Sequence, residues 1–281
     1  MNKLRITRPL VSSQWLFENR NAPNLIVLDA TIPKVGQTTV DLNQEFGIKN
    51  SRFFDIKNVF SYKEAQFPNT LVSPEIFQKE VQKLGVNIDS AIVVYDRHGI
   101  YSSPRAWWLF KTMGHVNVAV LDGGLPEWKS NNYPTEKINK FNGELGNFKV
   151  NYQSKSIYNY DNVLDAISDK DKLILDARSA DRFKGERPEP REGLRSGHIP
   201  NSKNLPYTEL LEKGKMVSEP VLSQKFNTLI SEESELVFSC GSGITACILA
   251  LGAEVAGFKS ISVYDGSWTE WGSLHELPVE K

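Results

Sequence analysis

Cysteine and histidine are scarce in this chain, with two and four copies in 281 residues. The cysteines, Cys240 and Cys247, stand seven apart where a loop passes into a helical pattern, which makes them poor disulfide partners. With the histidines they form no C-x2-C or H-x3-H spacing, so neither a metal site nor a resident cofactor is expected. No charge of one sign dominates: 33 Lys+Arg against 34 Asp+Glu leave a net charge of −1. That balance gives no basic face for nucleic acid or for an anionic membrane. Long apolar runs are missing as well, and nothing approaches the roughly 20 residues of a membrane span. Met1–Leu10 lacks the apolar stretch of a secretory leader. The expected setting is cytoplasmic and reducing, where a free cysteine more often does chemistry than staples a fold.

What is present is a repeat. The length suggests two domains, and a hydrophobic content of 40% is enough to fill their cores. Leu28-Asp29-Ala30 recurs 147 residues later as Leu175-Asp176-Ala177. Ile92-Val93-Val94-Tyr95-Asp96 is answered 144 residues on by Leu236-Val237-Phe238-Ser239-Cys240. Asp122-Gly123-Gly124-Leu125-Pro126-Glu127-Trp128 returns 143 residues on as Asp265-Gly266-Ser267-Trp268-Thr269-Glu270-Trp271. Three blocks in one order at nearly one offset indicate a duplicated domain. Each half alternates short apolar strands with helical stretches, the pattern of a parallel α/β sheet. Residues 74–85, behind a Ser73 N-cap, and 104–114, with Pro in the first turn, have helical spacing and end in Gly. Residues 134–157 are polar and aperiodic and read as a surface connector.

The two halves differ at the position that matters for chemistry. Cys240 ends an apolar strand and is followed by Gly241-Ser242-Gly243-Ile244-Thr245 and an apolar helix start. Such a loop directs backbone N–H groups and a helix dipole at one sulfur and stabilises negative charge there. The first half carries Asp96 at that position, followed by a bulkier loop, Arg97 to Ser103. A carboxylate cannot act as a sulfur nucleophile, so the first half is expected to be silent. Ligands of open α/β sheets gather at the carboxyl ends of the strands, where both positions lie.

A tandem repeat with Asp in the first loop and Cys in the second resembles the two-domain rhodanese family of sulfurtransferases. Ser179-Ala180-Asp181-Arg182-Phe183-Lys184-Gly185, Glu189-Pro190-Arg191, Gly197-His198-Ile199-Pro200 and Asp265-Gly266-Ser267-Trp268 carry the resemblance further. It implies two tandem rhodanese-like α/β domains, each a mainly parallel sheet flanked by helices. The expected division is a silent domain over 1–140, a linker over 141–157 and a catalytic domain over 158–281. A Cys-Gly-Ser-Gly-hydrophobic-Thr loop is similar to that of the 3-mercaptopyruvate branch. The thiosulfate branch typically has Arg and Lys after the Cys, and Gly241 and Ser242 are neutral.

By that resemblance, Cys240 takes sulfur from 3-mercaptopyruvate as a persulfide, releases pyruvate, and passes the sulfur to a thiol, such as thioredoxin or a low-molecular-weight thiol, or to cyanide. Backbone amides from Gly241 through Thr245 are expected to hold the sulfur's charge. Thr245 either adds a hydroxyl donor, as Ser242 does, or caps the following helix. Arg182 and Arg191 are the expected ligands of the substrate's carboxylate and carbonyl, since a guanidinium fork suits that group. The alternative is that each is a surface arginine paired with Glu186, Glu189 or Asp181. Arg195, His198, Asp29 and Asp176 read as structural, Cys247 as packed against the sheet, and Trp107, Trp108, Trp268 and Trp271 as packing residues.

One departure concerns protons. Some members of the 3-mercaptopyruvate branch are proposed to use a Ser–His–Asp relay. Asp55, in Phe53-Phe54-Asp55-Ile56, and Ser242 match the acid and the serine, but Asn69 stands where the histidine is expected. Competing readings are a thiosulfate:cyanide sulfurtransferase and a non-enzymatic persulfide carrier or redox module. A cysteine phosphatase is disfavoured because position 246, where it needs arginine, is Ala.

Overall fold

Apolar runs bounded by polar turns form the strands, and the amphipathic stretches between them form the helices. The computed structural model describes residues 3–34, 46–230 and 235–281. The chain divides into two units, one of Met1–Ser61, Leu71–Gln153 and Lys213–Met216, the other of Tyr62–Thr70, Ser154–Glu212 and Val217–Lys281. Each unit thus holds a short segment from the other half of the sequence, which a reading by contiguous domains does not anticipate.

The first unit contains β1 (Leu10–Val11), α1 (Ser13–Asn19), β2 (Leu25–Asp29), β3 (Phe46–Ile48), β4 (Arg52–Phe53), α2 (Pro74–Lys83), β5 (Ala91–Tyr95), α3 (Ser103–Thr112), β6 (Val118–Leu121), α4 (Gly124–Ser130) and β7 (Thr135–Lys137). Its main sheet has the order β1-β6-β5-β2-β4 with every pair parallel. All five residues of β5 are buried, as a central parallel strand covered on both faces requires. Alternate residues Val27, Val93, Tyr95, Ala119 and Leu121 join Leu16, Leu125 and Trp128 in one core cluster. A second group stacks Phe54 on Phe60 and sets Phe110 at a tilt to Phe54 and edge-on to Phe77. The helix behind Ser73 forms as expected, with the Ser73 hydroxyl accepting the Ile76 N–H. The connector lies largely at the surface, with one exception. Phe148 is 1% exposed and packs edge-on against Phe77 and Phe110, because an isolated aromatic in a polar stretch has no periodicity to announce its burial.

The second unit contains β8 (Ile157–Tyr158), α5 (Tyr160–Ser168), β9 (Lys172–Asp176), α6 (Ala180–Phe183), β10 (Lys203–Asn204) and β11 (Leu211–Glu212). The short β12 (Lys215–Met216) belongs to the first unit. The second unit continues with α7 (Glu219–Asn227), β13 (Glu235–Ser239), α8 (Ala246–Val255), β14 (Ile261–Tyr264) and α9 (Ser267–Trp271). Its sheet runs β10-β9-β13-β14-β8, again all parallel. Strand for strand this is the order β4-β2-β5-β6-β1 of the first unit, so the sequence repeat is a repeat of fold. Helix α8 is buried from Ala246 through Ala253, which explains why its sequence is apolar all round. Among the described residues, no helix is long and apolar enough to cross a membrane.

Candidate active site

The carboxyl ends of β9 and β13 lie in register, Asp176 beside Ser239, and bring Asp176 and Cys240 to one end of the second sheet. Cys240 is 1% exposed. Its backbone is clamped by the first turn of α9: the Trp268 N–H donates to the Cys240 carbonyl at 2.9 Å and the Thr269 N–H to the Gly241 carbonyl at 2.9 Å. The Thr269 hydroxyl also donates to the Gly241 carbonyl. Ser267 faces the cysteine directly. Its Oγ accepts the Cys240 N–H at 3.2 Å and lies 3.9 Å from Sγ. A hydroxyl has one proton, and the Tyr264 carbonyl at 2.9 Å is its nearer acceptor. Ser267 has a left-handed backbone, φ +50°, uncommon for a residue with a Cβ.

The loop after Cys240 turns at Gly243, φ +76°, a conformation costly for any residue with a side chain. Ile244 is buried. Thr245 occupies the N-cap position of α8 but forms no side-chain cap bond, so of its two possible roles the capping one is not made. Cys247 is buried, in keeping with a packing role, and its thiol donates to the Gly243 carbonyl at 3.3 Å.

Arg182 and Arg191 converge on the start of this loop. A Cβ at Gly241 would meet Arg182 Nη2 at 3.2 Å and Nη1 at 4.0 Å, so glycine leaves room for the guanidinium beside the residue after Cys240. Arg191 Nη2 donates to Ser242 Oγ at 3.4 Å and Nη1 to Thr269 Oγ1 at 3.3 Å. Asn69, in the segment that belongs to the second unit, donates from Nδ2 to the Ser242 carbonyl at 3.0 Å and to Ser242 Oγ at 3.1 Å.

The two arginines are held differently. Glu189 grips Arg182 along one fork edge, Nε at 3.1 Å and Nη2 at 2.6 Å, and also takes Arg178 Nη1 at 3.0 Å. Arg178 in turn chelates Asp176, with Nε at 2.9 Å and Nη2 at 2.7 Å, and lies over the Trp268 ring. Burial alone would lower the Arg178 pKa, but Asp176 and Glu189 outweigh it and hold the value above the usual arginine range. The Glu189 partnership raised in the sequence is therefore real for Arg182, yet it leaves the Nη1/Nη2 edge beside Gly241. Arg191 forms no ion pair among the described residues. The sequence reading missed Arg178, Ser267 and Thr269. The signal for Arg178 was Asp-Ala-Arg at 176–178 where the first repeat has Asp-Ala-Thr at 29–31.

Other residues named in the sequence are occupied elsewhere. Asp55 lies in the first unit, where the Asn58 backbone N–H and side-chain amide donate to its carboxylate. Arg195 donates to the Trp271, Gly272, Leu274 and Leu277 carbonyls at the chain's end. His198 stacks on Phe183 and bonds the Phe183 carbonyl through Nδ1. Among the described residues, no group of three or more His, Cys, Asp or Glu is placed to hold a metal.

The first unit shows what this loop architecture does with charge. Asp96 Oδ2 accepts the N–H groups of Tyr101, Ser102 and Ser103 at 2.8–2.9 Å and the Ser103 hydroxyl at 2.7 Å, while Oδ1 accepts the His98 N–H at 2.9 Å. This loop is bulkier than the second, with Arg97, His98, Ile100 and Tyr101 in it, but its donors still converge on a negative group.

A rhodanese-like domain model matches residues 12–131 and 159–274. The chain is 35% identical over 274 residues to the 3-mercaptopyruvate sulfurtransferase of Escherichia coli, covering 96% of this chain and 97% of that one. It is also 35% identical over 298 residues to the mitochondrial thiosulfate/3-mercaptopyruvate sulfurtransferase 1 of Arabidopsis thaliana, covering 98% of this chain and 78% of that one. The crystal structure of an Escherichia coli 3-mercaptopyruvate sulfotransferase superposes with a TM-score of 0.84 at 32% identity, over 93% of this chain and 99% of that one.

Proposed function

This chain belongs to the rhodanese family of sulfurtransferases, and on that premise we propose that it moves sulfur from 3-mercaptopyruvate, through a persulfide on Cys240, to a thiol or cyanide. The observation that carries this reading is the convergence of Arg182 and Arg191 on the Gly241–Ser242 turn beside Cys240. Charge narrows the donor. Arg178 and Arg182 share Asp176 and Glu189, two cations with two carboxylates, which leaves Arg191 as the uncompensated cation of the cluster. One net positive charge suits the single carboxylate of 3-mercaptopyruvate. Doubly charged thiosulfate finds no cation at positions 241 and 242 themselves.

In the proposed step the Cys240 thiolate attacks the donor's sulfur. The S–S bond forms, the C–S bond breaks, and its electron pair becomes the enolate of pyruvate. The proton on the donor's thiol supplies the one the enolate needs, so thiolate plus 3-mercaptopyruvate becomes persulfide anion plus pyruvate with no proton gained or lost. The negative charge stays in a loop whose counterpart in the first unit already holds the Asp96 carboxylate on converging N–H groups. A thiol acceptor, either a small thiol or a thioredoxin-type dithiol, then takes the outer sulfur.

Pyruvate release with dithiothreitol or cyanide as acceptor, compared with thiocyanate formation from thiosulfate, tests the reading. Catalytic efficiency is expected to favour 3-mercaptopyruvate, and a clear preference for thiosulfate refutes the donor assignment. Cys240→Ser is expected to abolish transfer from either donor, because a hydroxyl cannot carry the sulfane sulfur. Arg191→Ala is expected to raise KM for 3-mercaptopyruvate more than for thiosulfate.

A further inference from the structure

Ser242 is held in a way that decides what its hydroxyl does. A hydroxyl has one proton to donate and two lone pairs to fill. Asn69 Nδ2 donates to Ser242 Oγ at 3.1 Å and Arg191 Nη2 at 3.4 Å, which fills both lone pairs with N–H donors. What remains is the hydroxyl's own proton, pointing away from both. The same Asn69 amide holds the Ser242 carbonyl at 3.0 Å, so it fixes backbone and side chain together. Asn69 presents that amide from a left-handed backbone, φ +64°, that asparagine tolerates better than most residues. Its segment is folded on itself by Tyr62 N–H to the Thr70 carbonyl at 2.8 Å and Thr70 Oγ1 to the Phe67 carbonyl at 2.8 Å.

We infer that Asn69 is a positioning residue that makes the Ser242 hydroxyl a one-way hydrogen-bond donor to the enolate oxygen of the departing keto acid. The inference rests on 3-mercaptopyruvate being the sulfur donor. Three points support it. An amide does not titrate at working pH, so Asn69 serves as a fixed donor and not as a relay. The balanced step calls for no relay, because the proton for the pyruvate methyl arrives on the donor's thiol. Ser242 is 8% exposed, and a preoriented donor in a dry site acts most strongly on an oxygen that gains charge in the transition state. Arg191 then has two tasks, holding Ser242 Oγ and attracting the carboxylate.

The test is Asn69→Asp, which keeps shape and backbone tolerance but reverses hydrogen-bond direction, since a carboxylate accepts the Ser242 proton and cannot donate. Removing one donor from an oxyanion site typically lowers kcat by roughly 10²-fold. A fall of about that size in kcat with 3-mercaptopyruvate is expected; KM rises as well, because the new carboxylate lies beside Arg191 and offsets part of its charge. The loss with thiosulfate, whose sulfite leaving group forms no enolate, should be at least about tenfold smaller. Ser242→Ala is expected to reproduce the selective loss, and it decides the matter if circular dichroism shows Asn69→Asp misfolded. If the unaltered enzyme turns over 3-mercaptopyruvate but the variants lose both donors equally, or lose only KM, Asn69 merely braces the loop and the inference fails alone. If the unaltered enzyme loads Cys240 from thiosulfate but not from 3-mercaptopyruvate, the proposed donor fails and this inference with it.

Discussion

Replacing Glu189 by glutamine probes the device that holds Arg182. Its carboxylate is 1% exposed and accepts three hydrogen bonds, two on Oε1 from Arg178 and Arg182 and one on Oε2 from Arg182 at 2.6 Å. Glutamine keeps one acceptor oxygen and sets an NH2 against Arg182 Nη2, donor facing donor. The loss is one charge-assisted bond, about 1.5–3 kcal/mol, together with part of the ~3–5 kcal/mol lost when a buried ion pair is broken from one side. Since Asp176 still neutralises Arg178, the lower ends of these ranges apply, and a net loss of about 2–4 kcal/mol is expected. Arg182 also regains side-chain freedom worth roughly 1.5–2 kcal/mol, so KM for the sulfur donor should rise by about tenfold. Urea denaturation followed by tryptophan fluorescence reads the first effect, and steady-state kinetics the second. Both should persist at high salt, because buried pairs are poorly screened. The exposed Lys225–Glu209 pair is the control, worth only about 0.2–1 kcal/mol. Stability within about 0.5 kcal/mol of the unaltered protein with unchanged KM would refute the idea that Glu189 holds Arg182.

Asp96→Asn should destabilise the first unit by about 2–4 kcal/mol and leave sulfur transfer at Cys240 in place; a urea midpoint equal to that of the unaltered protein would contradict a stabilising role for the donors that converge on Asp96. Gly243→Ala puts a Cβ on a backbone at φ +76°, which costs about 1–2 kcal/mol or a relaxed loop, so kcat should fall, and full activity would show that the turn is not needed. Burial lowers the His115 pKa, and the Ser90 and Asn117 backbone bonds only partly offset it. The unfolded ring protonates near 6.5 while the folded ring stays neutral to lower pH, so this contribution is full above that value and is lost as pH falls below it. His115→Gln should remove that acid-side slope in urea stability between pH 7.5 and 5, and an unchanged slope would assign it to other groups.

Much of the fold was legible because parallel strands covered on both faces are written as continuous apolar runs, as in Ala91–Tyr95 and Leu236–Ser239. The order of those runs repeats, so a duplicated sheet could be inferred before any contact was known. Cys240 was legible for a local reason: its small-residue loop is contiguous in sequence. The support around it was not. Glu189 could be named as a neighbour of Arg182, but its sharing with Arg178 depends on where a buried strand end places Asp176. Ser267 was visible within a repeated motif, yet only its left-handed backbone places Oγ against the Cys240 N–H.

Sequence alone determined the duplicated α/β plan, the single thiol where the other repeat has a carboxylate, and the neutral residues after it. These follow from periodicity and composition, which act over a few residues at a time. Tertiary structure decided which arginine is neutralised, which hydroxyl faces the sulfur, and what Asn69 does 173 positions from Ser242. The physical reason is that hydrogen bonds and ion pairs depend on distance in space. That distance is set only when two sheets with the same strand order have folded and returned remote segments to the ends of their strands.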